Sequence, residues 1–470
     1  MKLLTRRQFH PAQVVILSFA LVIAAGSALL SLPVATRSGE RLPFVDALFT
    51  SVSATCVTGL AVFDTGETFS LFGQLVILAC IQIGGLGLMT FTTMFVVASG
   101  RRLAVLDRAA MQQSFHHTPT HNIRNLIKLI VVATFALEAL GALLLALHWH
   151  LTARFETFGE TLYQAVFHSV SAFCNAGFTV FPGSLVSFQR DPFTLLVVTT
   201  LIIAGGLGFV VWSDVKEFAR QKITGKLRAG EGTAKSVRPR LSVHSKFVLI
   251  TSSTLLAVGT ISFYLLERHN LLAGLPAGAS WMNAYFLAVT PRTAGFNSLD
   301  YAGAGGASLL LTMVLMFIGA SPGSTGGGIK VSTFGLLVCY AFARWRGHAR
   351  LHAFRRTVSR ESIDRAMTVV VAAVALVLIA AALLMVTETL GVAARDSQSR
   401  FLPLFFETVS AFGTVGLSLG ETGRLTPAGK LIVAAVMFMG RAGPLTLALA
   451  IGFRESRAKF RYAEENVMVS

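Results

Sequence analysis

The sequence predicts an all-α integral membrane protein of four tandem repeats in pseudo-fourfold arrangement, each running helix, pore helix with filter strand, helix, for eight transmembrane spans in all. Composition is the first ground. Of 470 residues, 53% are hydrophobic and 13% charged, and mean hydropathy is +0.66, whereas a soluble domain carries roughly 25% charged residues. A recurring octapeptide is the second. Ser53-Ala54-Thr55-Cys56-Val57-Thr58-Gly59-Leu60 returns as Ser171 to Phe178, Val289 to Phe296 and Ser410 to Leu417. The shared glycines Gly59, Gly177, Gly295 and Gly416 lie 118, 118 and 121 residues apart, far beyond the about 20–50 residues of solenoid repeats. The third ground is the setting of each copy, which ends a short apolar stretch and lies between two apolar runs near the ~20 residues that cross a bilayer as helix.

An extended segment inside hydrocarbon leaves N–H and C=O groups unpaired, so it is tolerated only where it is buried in protein or lines water. Four such segments around one axis meet that condition, and their carbonyls then replace the hydration shell of a dehydrated cation. Glycine suits the segment because it reaches backbone conformations closed to other residues and leaves room for close approach. The carbonyls of Val57 and Thr58, Asn175 and Ala176, Thr293 and Ala294, and Thr414 and Val415, with those of the four glycines, are the expected ligands.

Repeat I covers residues 1–110, with spans expected at Val14 to Leu32 and Leu71 to Ala98. The first run is long for a signal peptide and reads as a retained span. His116, His117 and His121 follow in a loop with no paired Cys or acidic ligand, which reads as solvated chain rather than a metal site. Repeat II, residues 111–225, has spans at Leu126 to Leu147 and Phe193 to Trp212. Glu138 sits within the first, and an intramembrane acid is either a transport group or a hydrogen-bond partner across the bundle. From Lys216 to Lys246 the chain turns basic, as expected of a cytoplasmic linker facing anionic lipid or an acidic partner.

Repeat III, residues 226–355, opens with Phe247 to Leu266. Its second span meets Gly319-Ala320-Ser321-Pro322-Gly323-Ser324-Thr325-Gly326-Gly327-Gly328 halfway across. Glycine costs a helix about 1 kcal/mol and proline about 3, so two half-helices flanking an intramembrane loop are expected. Ile329 between Gly328 and Lys330 spoils any likeness to a phosphate-binding loop, so no nucleotide is expected on this chain. Repeat IV, residues 356–470, spans Met367 to Thr389 and Leu431 to Phe453 and carries Arg441 in mid-span, where a guanidinium must face water or an acceptor.

Glycines at 84, 205, 319 and 440 fall at similar depths in the four second spans. Close helix packing through small residues accounts for those of repeats I and II. In III and IV the same depth carries the loop and Arg441, a constriction below the filter, with Ser321, Ser324 and Thr325 as candidate partners for Arg441. Arg292 should lie behind its strand, either paired with Glu407 or snorkelling to the outer water.

Net charge is +17, but most basic residues fall in alternate loops, which puts both termini in the cytoplasm of a multi-pass cell-membrane protein. No basic stripe interleaved with stacking aromatics suggests nucleic acid, and no nucleophile and base at useful spacing suggests an enzyme. The remaining alternative to a pore is a secondary carrier of another small cation or solute, built from repeats with broken helices.

The single-glycine filters, the Gly319 to Gly328 loop and Arg441 together resemble the Ktr/Trk/HKT superfamily of cation uptake proteins, and among them the KtrB-type potassium transporter subunits. The resemblance covers nearly the whole chain. It implies potassium uptake with dependence on sodium, a homodimer, and a cytoplasmic KtrA-type ring of nucleotide-binding regulatory subunits. Eight spans fit this type better than the longer TrkH type. Asn175 and Arg292 break the likeness among the four filters, which leaves the potassium-to-sodium ratio open.

Overall fold

A computed structural model of the chain describes residues 11–87, 123–229 and 240–443. The expected spans of repeats I and IV run beyond Gly87 and Gly443, and His116, His117 and His121 likewise lie outside the described residues. The structure is mostly helical, and its one hairpin among the described residues pairs His352–Ala353 with Arg356–Thr357.

Each repeat begins with an outer helix: Pro11–Leu30, Ile123–Leu151, Val243–Glu267 and Arg360–Thr389. The last two start on serine caps, Ser242 and Ser359, whose hydroxyls accept from the amides three residues on and so satisfy one of the helix's orphan donors. Large apolar side chains stay exposed along these helices, among them Leu143, Leu147, Val371 and Leu378. An apolar face left open over successive turns is what lipid would cover. Among the described residues three helices are long and apolar enough to cross a membrane alone, and a bent pair makes a fourth. The first helix is fastened to its repeat, for Ser51 Oγ donates to the Ile23 carbonyl at 2.8 Å.

The pore helices Phe44–Thr55, Phe158–Cys174, Ala277–Val289 and Ala394–Gly413 sit inside this layer and all point their C-termini at the recurring motif. Inner helices follow at Leu71–Leu86, Pro192–Gly206, Gly306–Phe317 and Pro427–Ala442. Contacts between neighbouring repeats close a circle. Tyr163 Oη donates to Gln74 Oε1 at 2.5 Å between I and II, and Asn283 Nδ2 to the Gln189 carbonyl at 2.7 Å between II and III. Phe317 packs on Phe412 between III and IV, and Lys430 pairs with Asp46 at 2.6 Å between IV and I.

The inner helices correct one expectation. Small-residue packing does operate, since a Cβ on Gly84, Gly205 or Gly440 would come within 2.0, 1.9 and 2.0 Å of the carbonyls of Thr55, Phe173 and Phe412, equivalent positions at the pore-helix ends. Yet packing is not the whole account for repeat II. The span expected from Phe193 to Trp212 breaks after Gly206, and a second helix, Phe209–Ala229, leaves at 94°. Repeat III breaks as expected, resuming at Val331–Trp345.

Candidate functional site

Each pore helix ends in the same backbone alternation. Val57, Asn175, Thr293 and Thr414 have φ of 57°, 59°, 74° and 49°, and the glycines two residues later have φ of 91°, 70°, 77° and 95°. The residue between has negative φ. Alternating handedness turns successive peptide planes so that their carbonyls face one side, and it prevents ladder pairing. The filter segments are therefore extended chain that pairs in no sheet, as an all-α fold requires.

The four segments form a closed ring. A Cβ on Gly59 would lie 2.5 Å from the Ala176 carbonyl oxygen, on Gly177 2.8 Å from that of Ala294, on Gly295 2.1 Å from that of Val415, and on Gly416 2.1 Å from that of Thr58. The order I, II, III, IV and back to I is thus built from backbone alone, with each glycine against the next repeat's carbonyl. All four residues preceding the glycines are fully buried.

Sequence reasoning missed the braces behind the ring. Ser53 and Ser410 hydroxyls accept from the amides of Gly59 and Gly416 at 3.1 Å each, while Ser171 and Thr290 hydroxyls donate at 2.7 Å to the carbonyls of Phe178 and Phe296. A hydroxyl at the first position of three octapeptides and the second of the other was the available signal. The Asn175 amide nitrogen meets the Ala172 and Ile202 carbonyls at 3.0 and 3.1 Å, and its oxygen meets Thr293 Oγ1 at 3.2 Å.

Directly below, the Gly319 to Gly328 loop touches repeats II, III and IV, and Arg441 links it to repeat I. The helix break in repeat II leaves carbonyls without intrahelical partners, and the loop supplies them: Ser321 N donates to Gly206 O at 3.1 Å and Thr325 N to Gly205 O at 3.3 Å, with Phe209 N returning a bond to Gly323 O at 3.0 Å. Thr325 Oγ1 reaches Phe173 O at 3.3 Å, and Gly327 N reaches Thr414 Oγ1 at 3.1 Å. Gly326 and Gly327 have no room for a Cβ, which would sit 2.1 Å from Thr293 Oγ1 and 2.4 Å from Thr414 Oγ1. Gly319 N bonds Ile329 O at 2.8 Å, closing the loop's neck.

Arg441 donates to the carbonyls of Thr325 in the loop and Gly84 at the end of repeat I's inner helix. Ser321 and Ser324 do not bond it: the Ser324 hydroxyl donates to Ser321 O at 2.6 Å and that of Ser321 points to Pro322 O. Lys330, which sequence reasoning left without a role, donates through Nζ to Gly326 O at 2.8 Å. Two cations therefore stand on the loop, each on a backbone carbonyl.

Arg292 and Glu407 do not form the expected pair, whereas Glu138 makes the bundle-crossing hydrogen bond that was one of its two readings. Arg292 lies partly buried with Nη2 on Ser252 Oγ of its own outer helix at 3.0 Å, not on Glu407 and not at the outer water. Glu407 is fully buried and accepts from the hydroxyls of Ser418 and Thr422. Arg292 lies in the turn after Ala277–Val289 and Glu407 within the helix Ala394–Gly413, and each is held by groups of its own repeat. Glu138 accepts from Gln82 Nε2 at 3.1 and 3.2 Å, a bond across the bundle between repeats I and II.

Four helical repeats that converge on a single ring of backbone, with a charged loop packed against it, define a multi-pass membrane transport protein. The chain belongs to the TrkH family of cation transport proteins, whose family model matches residues 4–462. It is 38% identical to the Ktr system potassium uptake protein B of Bacillus subtilis, covering 98% of this chain and 97% of that one. It is 35% identical to the potassium/sodium uptake protein NtpJ of Enterococcus hirae, covering 100% and 99%. These full-length relatives place it with the KtrB-type transporters. The crystal structure of the potassium transporter TrkH from Vibrio parahaemolyticus shares the fold, with a TM-score of 0.70 over 96% of this chain and 86% of that one at 19% identity.

Proposed function

We propose that this chain takes up potassium through the central ring, selects the ion on the backbone carbonyls of Val57 to Gly59, Asn175 to Gly177, Thr293 to Gly295 and Thr414 to Gly416, and is gated by the Gly319 to Gly328 loop with Arg441. The closed circle of glycine against carbonyl carries the reading: carbonyl dipoles that converge on one axis replace a cation's hydration shell. The relatives named for potassium uptake support the ion, and the potassium/sodium uptake protein supports sodium as a second participant.

The gate reading rests on position. A cation leaving the ring meets Arg441, and at ~6 Å with an effective dielectric near 20 the repulsion is roughly 3 kcal/mol, enough to slow passage without forbidding it. The loop is held by hydrogen bonds, to backbone groups and to the side chains of Arg441, Lys330 and Thr414, rather than by large apolar side chains of its own, so it can be released as a unit. A homodimer in the cell membrane with both termini cytoplasmic, and a KtrA-type regulatory ring on that face, complete the proposal. The test is uptake of rubidium and sodium in cells lacking other potassium systems: the chain should restore rubidium uptake. Uptake of an organic solute with no rubidium flux points instead to a carrier.

A further inference from the structure

We propose that Phe209–Ala229 lies in the inner membrane surface, that anionic lipid headgroups hold it there, and that this hold keeps the gate loop docked. The inference rests on the gate reading above. Pro192–Gly206 is an apolar helix packed among the spans, and Phe209–Ala229 departs from it at 94°. A helix at right angles to a span lies along the membrane surface. Its residues suit that place. Val215, Ala219 and Ile223 follow at i, i+4 steps on one face, with Val215 and Ile223 exposed at 38% and 62%. Lys216 and Arg220, the latter 3.9 Å from Glu217 Oε2 on the polar side, run along one edge of that row and Lys222 along the other, all exposed. An apolar row bordered by Lys and Arg, with their stems along it and their charges at headgroup level, is the pattern of interfacial helices.

The occupant is an anionic lipid rather than a neutral one because of this charge, each Lys or Arg near an anionic surface strengthening association by about fivefold. The mechanical connection is short. Phe209 N donates to Gly323 O at 3.0 Å, and Gly208, with φ of 86°, packs so closely that a Cβ would meet Pro322 O at 2.6 Å. The elbow is stiff, because Trp212 Nε1 donates to Ala204 O at 3.0 Å and Ser245 Oγ donates to Asp214 Oδ2 at 2.6 Å. A tilt of the helix off the surface therefore pulls on Gly323 and on the Gly205 and Gly206 carbonyls that hold Ser321 and Thr325.

The experiment uses the full chain in vesicles of phosphatidylcholine alone or mixed with phosphatidylglycerol. Two quantities are read: rubidium flux, and quenching of tryptophan emission by brominated phosphatidylglycerol relative to brominated phosphatidylcholine, with Trp212→Phe giving the baseline. Anionic vesicles should slow flux severalfold. The K216Q/R220Q/K222Q variant should lose the preferential quenching, by up to about a hundredfold in lipid association for three charges, and flux in anionic vesicles should rise to the neutral-vesicle level. Arg441→Ala in anionic vesicles, where the loop is docked, separates the two readings. If it leaves flux unchanged, the gate is wrong. If it raises flux while lipid composition has no effect on the parent, or if quenching falls with flux unmoved, the lipid coupling is overturned. An effect of the triple variant seen only when a cytoplasmic protein partner is added also overturns it, and assigns the face to that protein.

Discussion

Replacing each filter glycine with serine tests the ring quantitatively, because the four sites differ in the space they leave. The added Cβ would lie 2.1 Å from a neighbouring backbone oxygen at Gly295 and Gly416, 2.5 Å at Gly59 and 2.8 Å at Gly177. Non-bonded carbon and oxygen do not approach so closely, so at Gly295 and Gly416 the ring must open by about 1 Å, an overpacking that costs about 1–3 kcal/mol. A left-handed φ on a residue with a Cβ adds roughly 1–2 kcal/mol at all four sites. The displaced oxygen belongs to the proposed ion ligand of the next repeat, so the strain falls on the coordination shell itself. If about 1.4 kcal/mol of it separates potassium from sodium, preference drops tenfold. Competitive rubidium and sodium uptake in cells lacking other potassium systems, normalised to protein in the membrane, should rank the variants with Gly295→Ser and Gly416→Ser most damaged and Gly177→Ser least. A parent-like ratio in all four would falsify the ring as the selectivity element, and Gly177→Ser as the worst would refute the distance argument.

Arg441→Ala should raise rubidium uptake severalfold with ion preference nearly unchanged, since hydrogen bonds to a charged group are worth about 1.5–3 kcal/mol each and those to Thr325 and Gly84 tie the loop to repeat I; parent-rate flux, or lost selectivity with no gain in rate, places the gate elsewhere. Lys430→Met should destabilise the detergent-solubilised protein by about 3–5 kcal/mol, because it leaves the buried Asp46 without its cation, and adding Asp46→Asn should recover most of the loss in a melting assay. Burial alone would raise the Asp191 carboxyl, but Thr194's hydroxyl and amide and His148 outweigh it and hold it below its ordinary value. Its stabilising effect is thus fully present above about pH 4, the unfolded value, and is lost as pH falls through the lower folded value. Asp191→Ala, which removes the cap of Pro192–Gly206, should cost about 0.5–2 kcal/mol at neutral pH, with the gap to the parent closing in acid; a gap independent of pH would remove the carboxylate from the account.

Several features were legible because local chemistry demands them. A segment with left-handed φ at every second residue needs glycine at its tightest point, and a ring built four times over repeats that demand at a constant interval, so Gly59, Gly177, Gly295 and Gly416 stood out. The Gly319 to Gly328 loop was legible for a similar reason, since no sequence so rich in glycine around a proline continues a helix. Partners were a different matter. Glu407 looked like the charge nearest to Arg292, yet Arg292 bonds Ser252 and Glu407 bonds Ser418 and Thr422. In repeat II the glycines read as packing, and they do pack, but the break after Gly206 appears only where a second element offers amides for the freed carbonyls. That element is the loop of repeat III, more than a hundred residues away. Composition and periodicity thus determined the membrane class, the four repeats and the position of the filters, because each is a property of a short stretch meeting lipid or its own backbone limits. The joining of Arg441 to Gly84 and Thr325, and of the loop to repeat II, was decided only by closure of the four repeats into a ring, which brings together groups that no local pattern encodes.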